Sequence, residues 1–553
     1  MLSQATVDRI IGSLVPDGLP DVLELESSYP ARDLPEGAEV MRVPPSPTGF
    51  VHIGTIYASL INERIAHQSG GVFVLRIEDT DKKREVEGSV EQIICALKKF
   101  DINYDEGPDV GGSYGPYFQS QRQKIYLAYA IELLKKGRAY PCFASPEELQ
   151  TQTKKQQAEK VRPGYYGQLA IWRDKSDELV NQALDDGKPF VLRFRSEGSH
   201  NNRIQYTDVF KGKMDVPEND LDVPLIKSDE SRLPTYHLAH VVDDYLMRVT
   251  KVFRSDEWLP STALHIELAK ALGHEPFIYG HFAPISILDN NGGGKRKLSK
   301  RKDDEADVRY WLDAGYPIEA VKAYLLGLAN SNFEDWYRDN SDKSVDDFPL
   351  SLDKLAASRA PLLDMTKLED YAKDYIARLS QDEFYDGICR FADEEFKLAL
   401  EQDIDYTKKI LGIERGGEKP RKDMSKWSQG FDQYGYFFDE IFLRDFKTQG
   451  AEEFLSDMSS DAIDTAVTNF LATYSADDEQ SIWFDKLKIS AEKSGFAIDN
   501  KQYKANQDSF HGNVADFARI LRVKLTGKNR TPDLWTIMQI MGVDRVSFRL
   551  GSN

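Results

Sequence analysis

The segment "RVPPSPTGFVHIGT" (Arg42–Thr55) combines three prolines, two glycines, three hydroxyl side chains and a histidine, and a helical apolar pattern follows at once. A helix starting near His52 directs its unpaired backbone N–H groups at whatever lies beyond the preceding strand, which is a site for an anion. Gly49 and Gly54 allow close backbone approach, and Pro44, Pro45 and Pro47 set the path of the loop in advance. His52 adds a ring donor at that mouth and Thr55 a hydroxyl. The plain alternative is a proline-braced turn carrying a surface histidine.

A second segment lies about 245 residues further on. "GGGKRKLSKRKDD" (residues 292–304) places Lys295, Arg296, Lys297, Lys300 and Arg301 behind glycines, with Leu298 and Ser299 between the lysines. Such a run is either a solvated loop or a clamp on a polyphosphate, whose charge in a phosphoryl or nucleotidyl transfer it would stabilise.

Positioning these residues requires a scaffold. "EVMRV" (Glu39–Val43) and "GGVFVLRIEDTD" (Gly70–Asp81) read as strands. "VEQIICALKKFDI" has helical spacing at Ile93, Ile94, Leu97 and Phe100. Strand, loop, helix, strand, helix is the cadence of a parallel α/β sheet of Rossmann type. Residues 1–40 carry eight acids against Arg9 and Arg32, and are expected to form a loosely structured N-terminal extension. The α/β pattern occupies 41–115 and returns over 223–290. An α+β insertion separates the halves at 116–222. Residues 291–347 hold the basic loop and its continuation, and 348–553 read as an all-α region. There Leu368, Tyr371, Tyr375, Ile376 and Leu379 share one helix face. The last helix is expected to start with Thr531 as cap and Pro532 in its first turn, and to stop at Gly542.

Composition narrows the class. The chain has 553 residues, 41% hydrophobic and 29% charged, as expected of a soluble globular protein of several domains. No run approaches the ~18 apolar residues of a membrane helix. The start of the chain has neither a signal core nor a transit-peptide pattern. Cys95, Cys142 and Cys389 lie far apart, so neither a disulfide framework nor a cysteine zinc site is expected, and a cytoplasmic setting fits. A net charge of −20 argues against indiscriminate nucleic-acid binding but leaves room for a specific RNA.

"HIGT" and "KLSKR" on an α/β scaffold resemble the two signatures of class I aminoacyl-tRNA synthetases. With "LRIEDTD", "YDEGPDVGGSYGPYFQS", "LIKSDESRLPTYHLAHVVDD" and "RSDEWLPST", the ordered set resembles the bacterial-type glutamyl-tRNA synthetases. The likeness runs in blocks from Arg42 to Trp311 and returns at "RVKLTGKNRTPDLWTIMQIMG". It implies ATP-dependent activation of L-glutamate to glutamyl-adenylate and transfer to the 2′-OH of the terminal adenosine of tRNA(Glu). ATP, Mg²⁺ and a monomeric enzyme with no membrane partner are part of that expectation. By the same resemblance His52, Lys297 and Lys300 are catalytic. Gly54, Thr55, Glu257, Trp258 and the run Lys297, Leu298, Ser299, Lys300, Arg301 bind ATP. Arg42, Ser46, Glu78, Tyr236, His240 and Arg254 bind glutamate, with the two arginines as carboxylate forks.

The chain departs from the family pattern at Pro44, where alanine is usual, and at His240, where asparagine is usual. A histidine at that position could donate to a carboxylate and make binding pH-dependent near neutrality. Contacts with tRNA are expected from Arg193 and Arg195 in the insertion, on one strand face. In the helical tail they are expected from Arg519, Arg522, Lys524 and Lys528, with 348–553 as the anticodon-binding region. An enzyme that also charges tRNA(Gln), and a non-catalytic tRNA-binding paralogue, remain alternatives at this stage.

Overall fold

The computed structural model describes residues 2–15, 18–289, 293–356, 361–417 and 419–551. Gly292 and the neighbouring asparagines of the low-complexity patch lie outside the described residues. The chain forms two compact units, Met1–Trp311 with Lys322–Asp364 and Leu312–Val321 with Met365–Asn553.

The first unit opens with a correction. Residues 1–40 are not a loose lead: α1 (Gln4–Leu14) and α2 (Val22–Ser28) are both capped, α1 by the Ser3 hydroxyl and α2 by a reciprocal Asp21–Glu24 box. Val7, Ile10 and Leu14 recur at helical spacing and are buried in the main core. The mixed composition of the segment conceals a single apolar stripe.

β1 (Val40–Val43) pairs in parallel with β2 (Val72–Leu75), and α3 (Ile53–Gln68) connects them. All four β1 residues are buried, the signature of a strand covered on both faces. α4 (Ser89–Lys99) follows as its periodicity predicts. α5 (Gln123–Lys135) is buried nearly all round within the main core.

Beyond it come β3 (Ala139–Cys142), α6 (Pro146–Ala158), α7 (Asp177–Asp185) and β4 (Val191–Phe194). β5 (Arg203–Asp208) and β6 (Gly212–Pro217) form a hairpin, and β7 (Pro224–Ile226) completes an antiparallel sheet ordered β3-β4-β7. The α1 side chain Arg9 donates to Asn181 and pairs with Asp185, both on α7.

The parallel motif resumes with α8 (Tyr236–Leu246), β8 (Lys251–Ser255), α9 (Thr262–Leu272) and β9 (Ile278–Phe282), β8 and β9 being parallel. β8 lies beside β1, where the Thr250 N–H donates to the Val40 carbonyl at 3.0 Å. The carboxyl ends of these strands open toward one side, where ligands bind in such sheets.

In the second unit every described regular element is a helix, around a core that includes Phe384, Phe437, Phe470, Phe517 and Ile537. The last helix, Leu534–Gly551, is capped by Asp533, whose carboxylate accepts from the Thr536 N–H at 2.9 Å; Thr531 is not the cap. Gly542 does break the helix, at φ 78°, but a further helical stretch follows it.

Candidate active site

The first segment singled out by the sequence is the turn from β1 into α3. Gly49 has φ 118°, a conformation in which a Cβ is strained, so the loop needs glycine there. His52 is the N-cap of α3: its backbone is extended, and its Nδ1 accepts from the Gly54 N–H at 2.8 Å. The ring proton therefore sits on Nε2. A Cβ on Gly54 would come within 2.8 Å of His52 Nδ1, so the space at Gly54 is taken by the histidine ring rather than left for a base. Burial, helped by the nearby Lys300 charge, lowers the His52 pKa to about 4. At neutral pH the ring is uncharged and fixed in one tautomer.

The second segment arrives on a hairpin. β10 (Ser286–Leu288) pairs antiparallel with β11 (Lys295–Lys297), and Leu298 is anchored by its N–H to the Ile285 carbonyl and by a fully buried side chain. The Asp303 carboxylate takes both Arg296 nitrogens and the Ser299 N–H, which fixes the turn. Lys300 Nζ then reaches the Phe50 carbonyl at 2.9 Å, and Lys297 Nζ lies 2.6 Å from Glu257 Oε1. Segments some 245 residues apart thus meet over one cavity of about 730 Å³, within the range of small-molecule sites.

His52, Gly54, Thr55, Glu257, Trp258, Lys297, Leu298, Ser299 and Lys300 line that cavity together with Arg42, Ser46, Glu78, Tyr236 and Arg254. Arg301 does not line it and points to solvent. Partial burial lowers the Lys300 pKa, although its side chain stays exposed at the cavity rim.

The surroundings of Arg42 and Glu78 are built on buried charge. Arg42 donates through Nε to Asp244 at 3.1 Å and through Nη1 to the Phe253 carbonyl at 3.0 Å. Asp244 also accepts from Arg76 at 2.6 Å. Burial alone would raise the Asp244 pKa, but Arg42 and Arg76 outweigh it and hold the carboxyl well below the usual range. Glu78 faces the opposite balance: burial exceeds the pull of Arg76 and Arg42 and raises its pKa to about 7.

His240 is a correction. It is fully buried, does not line the cavity, and lies beneath Tyr236 with ring centroids 5.6 Å apart. Its Nδ1 is 2.7 Å from Asp244 Oδ2, and burial lowers its pKa to about 3. It neither lines the cavity nor titrates near neutrality; it sits one layer behind, between Tyr236 and Asp244.

The residues expected to meet RNA are largely engaged within the protein. Arg193 is buried, donates to the Asp222 carbonyl at 2.8 Å and stacks on Tyr165. Arg195 lies past the end of β4 and pairs with Asp174 at 2.5 Å. In helix Val514–Thr526, Arg519 pairs with Asp457, and beyond it Lys528 pairs with Asp432. Lys524 is partly exposed. Arg522 differs: it donates to Thr531 at 3.1 Å and lines a second cavity of about 580 Å³, with Trp483, Phe484, Pro532 and Leu534. The sequence reading missed the aromatic pair, although "SIWF" with an exposed Phe484 beside a buried Trp483 was its available signal. Cys142 is buried with its Sγ 3.3 Å from the Tyr165 hydroxyl, and among the described residues no group of three or more His, Cys, Asp or Glu side chains is arranged to hold a metal ion.

Residues 39–339 match the family of class I tRNA synthetases (E and Q), catalytic domain. A glutamate–tRNA ligase of Acetivibrio thermocellus is 43% identical over 528 residues, covering 94% of this chain and 95% of the relative. One from Clostridium perfringens is 44% identical over 529 residues, 94% of this chain and 96% of the relative. Among solved structures, a glutamate tRNA ligase of Elizabethkingia meningosepticum in complex with its amino acid is similar at TM-score 0.70 and 26% identity, covering 93% of this chain and 99% of that one.

Proposed function

The chain belongs to the class I tRNA synthetases of the glutamate and glutamine type, and from that premise we propose that it is a glutamate–tRNA ligase. In this reading the α-carboxylate of L-glutamate attacks the α-phosphorus of ATP and pyrophosphate leaves. The glutamyl group then passes from the adenylate to the 2′-OH of the terminal adenosine of tRNA(Glu). The observation that carries the reading is the sharing of one cavity by the His52 turn, the Lys297–Lys300 hairpin and the Arg42, Arg254 and Glu78 cluster.

Roles follow from what each group presents. The Thr55 hydroxyl and the Nε2–H of neutral His52 donate to phosphate oxygens, with the positive end of the α3 dipole behind them. Lys297 and Lys300 stabilise charge as it moves onto the leaving pyrophosphate, a contribution on the order of 3 kcal/mol for one well-placed donor. Trp258 offers a flat face to the nucleotide. Arg42 and Arg254 take carboxylates, and Glu78 with the Ser46 hydroxyl takes the ammonium. The nucleophile is already an anion, so no general base is needed and orientation supplies much of the rate. Mg²⁺ accompanies the triphosphate as part of the substrate, bound by phosphate oxygens and water, as this ion prefers.

For tRNA, the second unit supplies the Arg522 cavity, where a half-buried guanidinium beside Trp483 and Phe484 suits an unstacked base. The enzyme acts as a monomer in the cytoplasm in this reading, as the family resemblance implies. Charging of purified tRNA(Glu) with labelled glutamate and with labelled glutamine tests it. ATP-dependent charging with glutamate alone is expected; charging with glutamine, or none, removes the assignment.

A further inference from the structure

Arg254 is a cation without an anion. It is buried, and among the described residues no carboxylate lies within ion-pair distance of it. All five of its N–H donors are nevertheless directed at neutral acceptors. Nε donates to His281 Nε2 at 2.9 Å, and one Nη donates to His265 Nδ1 at 3.1 Å and the Tyr236 hydroxyl at 3.3 Å. The other Nη donates to the Thr262 hydroxyl at 3.2 Å and the Trp258 carbonyl at 3.4 Å.

These acceptors fall into two sets. His265, His281 and Thr262 are wholly buried and lie behind the guanidinium, outside the cavity lining. Tyr236 and Trp258 line the cavity, and their bonds are the longest and the easiest for a carboxylate to replace.

A guanidinium only donates, so both imidazole nitrogens facing it must be bare. His281 then carries its proton on Nδ1, which donates to Asp208 Oδ2 at 2.5 Å. His265 carries its proton on Nε2, 3.0 Å from His237 Nδ1. Burial lowers the pKa of both histidines, so neither adds a charge beside Arg254 at neutral pH. Asp208 is the last residue of β5, and the hairpin docks on β9 where the Val209 N–H meets the Tyr279 carbonyl at 2.8 Å.

We propose that His265 and His281 are positioning residues for amino-acid selection: as neutral acceptors, with His281 oriented by Asp208, they aim Arg254 into the cavity and leave its charge for the side-chain carboxylate of the substrate. The inference rests on the glutamate reading above. It makes the β5–β6 hairpin part of the support of the amino-acid site. It also explains why the chain surrounds a buried arginine with imidazoles rather than with the carboxylate that would ordinarily pair it: an internal partner would neutralise the fork and erase its preference for glutamate over glutamine.

Glutamate-dependent ATP–pyrophosphate exchange, measured with tRNA present on active-site-titrated enzyme, tests this. His265→Asn keeps a neutral acceptor and His265→Asp places an anion in nearly the same volume. The KM for glutamate is expected to stay within about three-fold for Asn and to rise about ten-fold or more for Asp, with the KM for ATP unchanged in both. A second pair separates positioning from packing. His281→Leu raises the KM for glutamate with little effect on kcat, and His281→Gln, which retains an acceptor, recovers most of the loss. Equal glutamate KM values for His265→Asn and His265→Asp, or a His281→Leu enzyme with the wild-type KM, overturn the proposal. If His281→Leu fails to fold, the His265 pair decides alone. Wild-type enzyme without glutamate-dependent exchange would instead remove the ligase reading, whatever the variants do.

Discussion

If Glu78 holds the substrate ammonium, as proposed, one buried carboxyl ties binding to pH. Burial, working against Arg76 and Arg42, raises its pKa to about 7. To hold the ammonium of glutamate it must be ionised, and a raised carboxyl pKa means that the ionised fraction grows as pH rises through that value. The KM for glutamate should therefore fall by roughly ten-fold between pH 6 and pH 8, and a Glu78→Gln enzyme should show a weaker but flat KM. His52 does not blur the experiment, because its pKa of about 4 keeps it neutral across the range. A wild-type KM independent of pH would count against Glu78 as the ammonium partner. Which residues gather at the cavity was legible beforehand: Arg42, Glu78, Lys297 and Lys300 stand in short motifs. What those motifs could not disclose is who holds Arg254, since Asp208 precedes it by 46 residues and His281 follows it by 27. Hydrogen bonds between distant segments leave no local pattern.

Among the elements, the parallel strands and the helix after the first loop followed from apolar runs, prolines and periodicity. α1 did not, because a short helix in a segment rich in acids, proline and glycine stabilises itself mainly by docking, which only tertiary contact reveals. Its Ile10 is fully buried, whereas Leu23 on α2 is 72% exposed. Ile10→Ala should cost about 2–4 kcal/mol in urea unfolding of the first unit, and Leu23→Ala should be within about 0.5 kcal/mol of wild type. Equal, negligible effects would mean that α1 does not share the core. The last helix teaches a related lesson. Gly542 was a sound stop signal, yet a left-handed glycine can break one helix and let another begin immediately, and no residue near it announces the restart.

At the level of the whole molecule, acid excess decides which basic residues remain free. With 91 acidic side chains against 71 basic ones, a cation chosen from sequence by its position on a strand or helix generally finds an anion or a carbonyl nearby, as Arg193, Arg195, Arg519 and Lys528 do. The exceptions are informative: Arg254 within the first unit and Arg522 within the second each lie against neutral acceptors at the edge of a cavity. The meeting of the His52 turn with the Lys297–Lys300 hairpin is likewise a property of the fold, and from sequence it was reachable only through resemblance. A crystal structure with a non-hydrolysable glutamyl-adenylate analogue tests that meeting most directly. The adenylate phosphate is predicted between the α3 N-terminus and Lys300, the ammonium at Glu78, and the side-chain carboxylate on Arg254 in place of the Tyr236 and Trp258 bonds. An analogue seated elsewhere, or one whose carboxylate turns away from Arg254, would contradict the account.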